Sequence, residues 1–207
     1  MLNPIRNQGS CGGCYAFSAL ASLEALYKIK KGTLPALSEQ QLVDCSGSYG
    51  NSGCSGGLMS NSFNYLKTYK SMTRASYPYT ATRSTCKYNA TNGVINTSGY
   101  KTIANGSPSA HITALQAGPI SVAVQASSSV FQLYRSGILS STSCGTSLNH
   151  AVNMVGYGAE NGVMYWIVRN SWGTSWGEAG YFRVLRSEAT GPGICGILKL
   201  SSVPTIV

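Results

Sequence analysis

A chain of 207 residues with 43% hydrophobic and only 10% charged residues is long enough for one sizeable core or two modest lobes. It contains no apolar run of about 18 residues, which excludes a membrane-spanning helix. The net charge of +9 comes from scattered basic residues, the densest group being Lys28, Lys30 and Lys31, and this scatter argues against a nucleic-acid partner. No signal peptide opens the chain, so it reads as a processed or trimmed form.

The first informative stretch is Gln8-Gly9-Ser10-Cys11-Gly12-Gly13-Cys14-Tyr15-Ala16-Phe17-Ser18. Turn-forming Gly and Ser give way to an apolar segment. Phe17, Leu20, Leu23, Leu26, Tyr27 and Ile29 recur at helical spacing up to Lys31, and Gly32 stops the helix. Cys14 is thereby placed at a helix N-terminus, where unpaired N–H groups and the helix dipole favour a thiolate. The pair Cys11 and Cys14 also fits a redox dithiol or half of a zinc site. No second Cys-x-x-Cys or Cys-x-x-His supports zinc, and a long helix replaces the βαβ context of a redox fold.

Ser38 and Gln41 form a capping-box pattern, predicting a short second helix through Leu42 and Val43. Residues 46–57 are rich in Gly, Ser and Asn and read as a loop held by Cys45 and Cys54. A third helix is expected over about 58–69, with Phe63 and Leu66 on one face. Residues 73–107 read as irregular. A short helix over 108–117 follows, with His111 read as surface or helix packing. Ile120, Val122 and Val124 then alternate with Ser121, Ala123 and Gln125, the period of a half-buried strand. Further strands are expected over 151–157, 164–169 and 181–185, with a turn at Glu160-Asn161-Gly162. The pattern is a helical first half and a β-rich second half, divided near 105–110.

Seven cysteines allow three disulfides with one thiol left over, and six cysteines allow 15 connectivities that spacing cannot resolve. Disulfides belong to oxidising compartments. Sequons at Asn89, Asn96 and Asn105 fit secretion. His150 opens a strand, and Asn170 begins Asn-Ser-Trp-Gly. A thiol, an imidazole and an amide form a chemically coherent set. Imidazole takes the thiol proton and returns it to a leaving amine, and the amide fixes the ring.

The segment Gln8–Ser18 resembles the active-site segment of papain-like cysteine proteases. The resemblance extends through Leu-Ser-Glu-Gln-Gln-Leu-Val-Asp-Cys at 37–45, Gly-Cys-Ser-Gly-Gly at 53–57, Gly-Pro-Ile-Ser-Val-Ala-Val at 118–124, Asn-His-Ala-Val at 149–152 and Asn-Ser-Trp-Gly at 170–173, in family order. The cathepsin L-like branch is the most similar. Gly13 departs from the family's usual Ser or Ala, and Tyr15 from its commoner Trp. About ten residues that family members carry before Leu2 are missing, as is the prosegment, so the resemblance implies a mature form.

What the resemblance implies is an α+β, two-lobed fold. A helical lobe over 1–107 carries the nucleophile, and an antiparallel β-barrel-like lobe over 108–207 carries His and Asn. The active-site cleft lies between them, and the C-terminal tail crosses back. Cys14 would be the nucleophile, His150 its base and acid, Asn170 the orienting group shielded by Trp172, and Gln8 an oxyanion donor. The implied disulfides are Cys11–Cys54, Cys45–Cys86 and Cys144–Cys195. Gly56 and Gly57 would pair with extended substrate. Leu58, Met59, Ala123, Leu148, Ala151 and Leu200, beside Asn149 and Trp172, would line an apolar pocket for the side chain two residues before the scissile bond. The expected activity is that of an endopeptidase working through a thioester, with no metal and no cofactor. Expected partners are polypeptide substrates, the protein's own prosegment and cystatin-type inhibitors. The expected state is a lysosomal, vacuolar or secreted monomer. A non-catalytic binding protein on the same scaffold is the rival, disfavoured because Cys14 and His150 are both present.

Overall fold

The computed structural model describes residues 2–207. Contacts divide the chain into two compact units. One comprises the residues up to Pro4, Gln8–Lys101 and Val203–Val207; the other comprises Ile5–Asn7 and Thr102–Ser202.

Helix α1, Cys14–Lys31, organises the first unit. Its residues from Tyr15 to Ala25 are all buried, so its first three turns are enclosed on every side. The small residues Ala16, Ser18, Ala19, Ala21, Ser22 and Ala25 permit this enclosure. Gly32, at φ 81°, ends the helix in the left-handed conformation and donates its N–H to the Lys28 carbonyl. Helix α2, Glu39–Cys45, is capped by Ser38, whose Oγ accepts from the Gln41 N–H at 3.1 Å. The reciprocal half of the expected capping box is not formed. Gln41 turns inward instead, bonding Tyr65 Oη, the Lys70 carbonyl and the Met72 N–H, while the Ser38 N–H pairs with the Met72 carbonyl. Helix α3, Met59–Thr68, buries Phe63 and Leu66 as expected. Leu20, Leu23, Leu37, Leu42, Leu66 and Ile206 pack in one core.

Strand β1 (Ser71–Met72) precedes the stretch read as irregular, which itself contains strands β2 (Gly93–Ile95) and β3 (Gly99–Thr102). The loop between β1 and β2 is pinned by buried polar groups of α2. Asp44 accepts from the Tyr77 hydroxyl and the Ser84 N–H, and Gln40 Oε1 accepts from the Thr80 N–H. Backbone groups that lack a regular ladder find their partners there.

In the second unit, α4 (Pro108–Leu115) starts with Pro at its first position and Ser107 as its cap. His111 is fully buried, not at the surface. Its Nδ1 lies 2.7 Å from the Ser107 carbonyl and its Nε2 2.7 Å from Ser201 Oγ. Strand β4 (Ile120–Val124) is buried on both faces, Ser121 and Ala123 included, and not on one face as its alternation predicts. A short helix α5 (Ser129–Gln132) and strand β5 (Ile138–Leu139) follow. Strands β6 (His150–Glu160) and β7 (Val163–Arg169) form a hairpin whose turn residues Asn161 and Gly162 both have positive φ. Strands β8 (Tyr181–Leu185) and β9 (Ser201–Thr205) complete the sheet in the order β3-β9-β4-β6-β7-β8-β5.

Two parts of the barrel expectation need correction. The sheet is open, since its end strands β3 and β5 do not pair with each other. It is also not wholly antiparallel, since β5 runs parallel to β8.

Candidate active site

Three disulfides are present: Cys11–Cys54, Cys45–Cys86 and Cys144–Cys195. Cys14 stands outside all three. With Cys11 bonded to Cys54, the Cys11–Cys14 redox pair and the half zinc site are both set aside.

The approach to Cys14 is built from glycine. The Gly12 N–H donates to the Cys54 carbonyl at 2.9 Å. A Cβ at Gly12 would stand 2.4 Å from that oxygen, so no other residue fits without moving backbone. Gly13 then opens α1 with no side-chain cap and no acidic residue in the first turn. Cys14, partly exposed, is the first residue of the helix. The positive end of the helix dipole at that position lowers the energy of a thiolate. The hydroxyl of Tyr15 reaches the Gly53 carbonyl at 2.9 Å, tying the helix start to the loop closed by Cys54.

Gln8 is buried. Its Nε2 donates to the Cys11 carbonyl at 3.1 Å, which fixes the amide beside the Cys14 segment. An amide NH2 carries two hydrogens, so this bond does not use both. The Gln8 carbonyl accepts from the Tyr79 hydroxyl at 2.8 Å. Burial pushes the Tyr79 hydroxyl up to about 12, so it remains a donor at physiological pH. Tyr79 also meets Phe17 edge to face at 4.9 Å.

In the second unit, His150 begins β6 and pairs with Val124 of β4. Its Nε2 lies 2.7 Å from Asn170 Oδ1, and both residues are buried. The same Oδ1 accepts the Ser171 N–H at 2.8 Å. That second bond settles the amide orientation, because a flipped amide would set two donors against each other. Asn170 therefore presents oxygen, His150 Nε2 carries the hydrogen, and Nδ1 is left with the lone pair that accepts a proton. Burial pushes His150 down to about 4, opposed by the Asn170 bond, so the imidazole is neutral near pH 7. Trp172 lies over His150 with ring centroids 4.8 Å apart, and Phe131 and Trp176 pack against Trp172 at 5.5 and 5.3 Å. Asn170 Nδ2 is buried and has no hydrogen-bond partner among the described residues.

The expected substrate-binding residues fall in both units. In the first, Gly56 has φ 104° and open space where a Cβ would be. A Cβ on Gly57 would stand 2.3 Å from Asn51 Oδ1. Leu58 is exposed and Met59 buried. In the second, Ala123 is paired directly with Ala151, and its N–H donates to the Leu200 carbonyl, so these three residues are neighbours. Leu200 is exposed, and Leu148 is partly so. The Asn149 side-chain oxygen accepts the Ala126 N–H, an internal bond that holds the end of β4. Sequence reasoning missed Tyr79, Ser171 and Phe131. The repeated Trp-Gly at 172–173 and 176–177 was the one visible sign of the aromatic cluster.

Comparison with known proteins agrees with these features. Residues 1–205 match the model of the papain family of cysteine proteases. The chain is 47% identical over 204 residues to a cathepsin L-like proteinase of Fasciola hepatica, covering 98% of this chain and 61% of that protein. The chain thus spans about three-fifths of that curated relative. A structure of digestive procathepsin L 3 from Tenebrio molitor larval midgut superposes with a TM-score of 0.94 at 40% identity, covering 99% of this chain and 67% of that one. The bromelain protease of Ananas comosus, in complex with the E64 inhibitor, superposes with a TM-score of 0.91 at 45% identity, covering 100% and 94%. On the sequence, the fold and these relatives together, the chain belongs to the papain family of cysteine proteases.

Proposed function

We propose that the chain is a cysteine endopeptidase in which Cys14 is the nucleophile and His150 its general base and acid. The observation that carries this reading is the buried Nε2-to-Oδ1 bond between His150 and Asn170, which leaves Nδ1 as the proton acceptor. The reaction requires Nδ1 to take the Cys14 proton. The thiolate then attacks the peptide carbonyl, and the resulting oxyanion is held by Gln8 Nε2 and the Cys14 N–H. The imidazolium Nδ1–H next protonates the leaving amine. Water, deprotonated by the same nitrogen, hydrolyses the thioester and restores the thiol. Stacking by Trp172 keeps water from the His150–Asn170 bond.

Gly57 offers its backbone to extended substrate. The apolar set of Leu58, Met59, Ala123, Leu148, Ala151 and Leu200 contains no carboxylate, which favours Leu, Val or Phe over Arg at the second position before the bond. Both ring nitrogens of His111 are engaged inside the second unit. That leaves no histidine to hold a substrate's terminal carboxylate, which supports endopeptidase over carboxydipeptidase action. The insect relative is a proenzyme by its description, in keeping with a prosegment as one partner and cystatin-type inhibitors as others. Three disulfides are in keeping with a lysosomal, vacuolar or secreted protein.

The test is hydrolysis of a fluorogenic peptide amide with Leu at that second position, in reductant, before and after one equivalent of a thiol-alkylating reagent. Activity is expected to vanish as one label enters, and the labelled peptide is expected to contain Cys14. Retained activity after Cys14 is labelled would sink the proposal. A companion series varying only that substrate position is expected to rank Leu above Arg, and the reverse order would overturn the pocket assignment.

A further inference from the structure

The carboxylates of this protein are unevenly spent. The first unit contains three side-chain carboxylates, and all are buried: Glu24, Glu39 and Asp44. Glu24 accepts from Asn3 Nδ2 and the Leu37 N–H, Asp44 accepts from Tyr77 and Ser84, and Glu39 faces Arg74 at 3.7 Å. In the second unit, Glu160 and Glu178 both pair with Arg183, and Glu188 lies 3.7 Å from Arg186. The first unit meanwhile exposes Lys30, Lys31, Lys67, Lys70, Arg83, Lys87 and Lys101. None of these seven pairs with a carboxylate among the described residues. Their field therefore reaches solvent uncancelled within this unit.

Lys67 lines one depression, and three more of the seven stand on or beside the elements that border it. Lys30 Nζ donates to the Ile206 carbonyl at 3.1 Å. Ile206 and Lys67 line the same depression of about 450 Å³, together with Tyr27, Ile95 and Ser98. Lys31 lies one helical turn beyond Tyr27 on the same face of α1. The Lys70 side chain lies against Gly93, which begins β2, and β2 supplies Ile95 to the depression. The last turns of α1 and α3 thus border one cationic depression. The negative ends of the two helix dipoles account for lysine there, but not for the absence of acidic side chains around it.

We propose that this face is a docking surface for an acidic polypeptide segment, and that it recruits protein substrates carrying such a segment to the protease. The inference rests on the protease reading above for its consequence, but not for the binding itself. The cations of the patch are all lysines. Lysine is a compact, hydrated point charge suited to carboxylates strung along a flexible chain, whereas bidentate phosphate recognition draws on arginine. A depression of this size takes one or two side chains, and the hydroxyl of Tyr27 adds a donor.

The binding test uses fluorescence anisotropy of a labelled oligoglutamate peptide with the Cys14→Ala protein, which cannot consume the probe. Binding is expected at low salt and weaker at physiological salt. The triple variant Lys31→Gln, Lys67→Gln, Lys70→Gln is expected to bind roughly tenfold more weakly. A charge-matched control, Arg83→Gln, Lys87→Gln, Arg135→Gln, is expected to change binding less than about twofold. Thermal melts establish that both variants are folded. Equal weakening by the two triples would reduce the effect to net charge and overturn the proposal. So would binding of an oligonucleotide or an anionic vesicle where oligoglutamate fails to bind.

With Cys14 intact, a peptide substrate extended by oligoglutamate is expected to show a higher kcat/KM than the unextended one. That advantage disappears in the patch triple, while hydrolysis of the unextended peptide is unchanged. Loss of all hydrolysis with binding intact would remove the protease reading and leave the docking surface standing.

Discussion

Asn170 can take only one orientation, because the Ser171 N–H occupies one lone pair of Oδ1 and His150 Nε2 the other. Replacing Asn170 by Ala frees the imidazole to rotate and to change tautomer. The expected outcome is a fall of about 10²-fold in kcat/KM, carried by kcat, read from initial rates on the peptide amide. Tyr79 acts one step further back. Its hydroxyl holds the Gln8 carbonyl, and Gln8 in turn aims its amide. Tyr79→Phe keeps the packing against Phe17 and removes only that bond. It is expected to lower kcat about three- to tenfold with KM unchanged and to cost about 1 kcal/mol of stability. A change in KM alone would mean that Tyr79 serves binding instead. At this scale Cys14 and His150 stand out in the sequence because the chain holds only two histidines and one cysteine left over from an odd count, whereas Asn170, one of 13 asparagines, and Gln8 were marked out by the family resemblance. Tyr79 was not legible. It is one of 13 tyrosines, in a segment without periodicity, and nothing local marks whose carbonyl it bonds.

The same contrast holds for elements. Helices α1 and α3 and strands β4, β6, β7 and β8 are present where the sequence places them, with β6 running on through Glu160, which the sequence assigns to the turn. Strands β1, β2 and β3 are two to four residues long, too short to show a period. They exist because partners distant in sequence supply their hydrogen bonds. Gln41 shows why a local motif can fail. Its side chain gains more from three buried bonds with Tyr65, Lys70 and Met72 than from closing a capping box on a Ser38 N–H that already has a partner. The helix start at Cys14 depends on a contact of the same long-range kind. Gly12 lies against the Cys54 carbonyl, and the Cys11–Cys54 bond joins residues 43 apart in sequence. Closing a loop of that length is worth about 4 kcal/mol by chain entropy. Gly12→Ala forces the two backbones apart at that junction. It is expected to destabilise the protein by about 2–3 kcal/mol and to slow alkylation of Cys14 as the helix start shifts, both measurable on one purified variant.

Across the whole molecule, both histidines are buried and both are pushed below their ordinary range by burial. His150 reaches about 4, its Asn170 bond opposing, and His111 is lowered with the Ser107 bond opposing. An unfolded chain titrates histidine near 6.5, so between that value and the folded ones the unfolded state binds protons that the folded state refuses. Stability is therefore full above about pH 6.5 and is lost as pH falls toward about 4. Among the carboxylates with a resolved shift, Glu178 is held below its ordinary 4.5, chiefly by the Arg183 hydrogen bond, so its stabilisation is lost only at more acidic pH. The two effects occupy separate windows. Denaturant melts at steps from about pH 7 to about pH 5 are thus expected to show a decline to which the histidines contribute. His111→Gln keeps a donor and an acceptor near Ser107 and Ser201 but cannot titrate, so it is expected to make that decline shallower. On the proposed mechanism a thiolate at Cys14 would stabilise the His150 imidazolium and work against the trend. Cys14→Ala is therefore expected to make the decline steeper than in the parent. A flat profile in all three proteins would mean that buried imidazole does not govern stability in this range. A steeper slope in Cys14→Ala would instead tie Cys14 and His150 together electrostatically, without any substrate present.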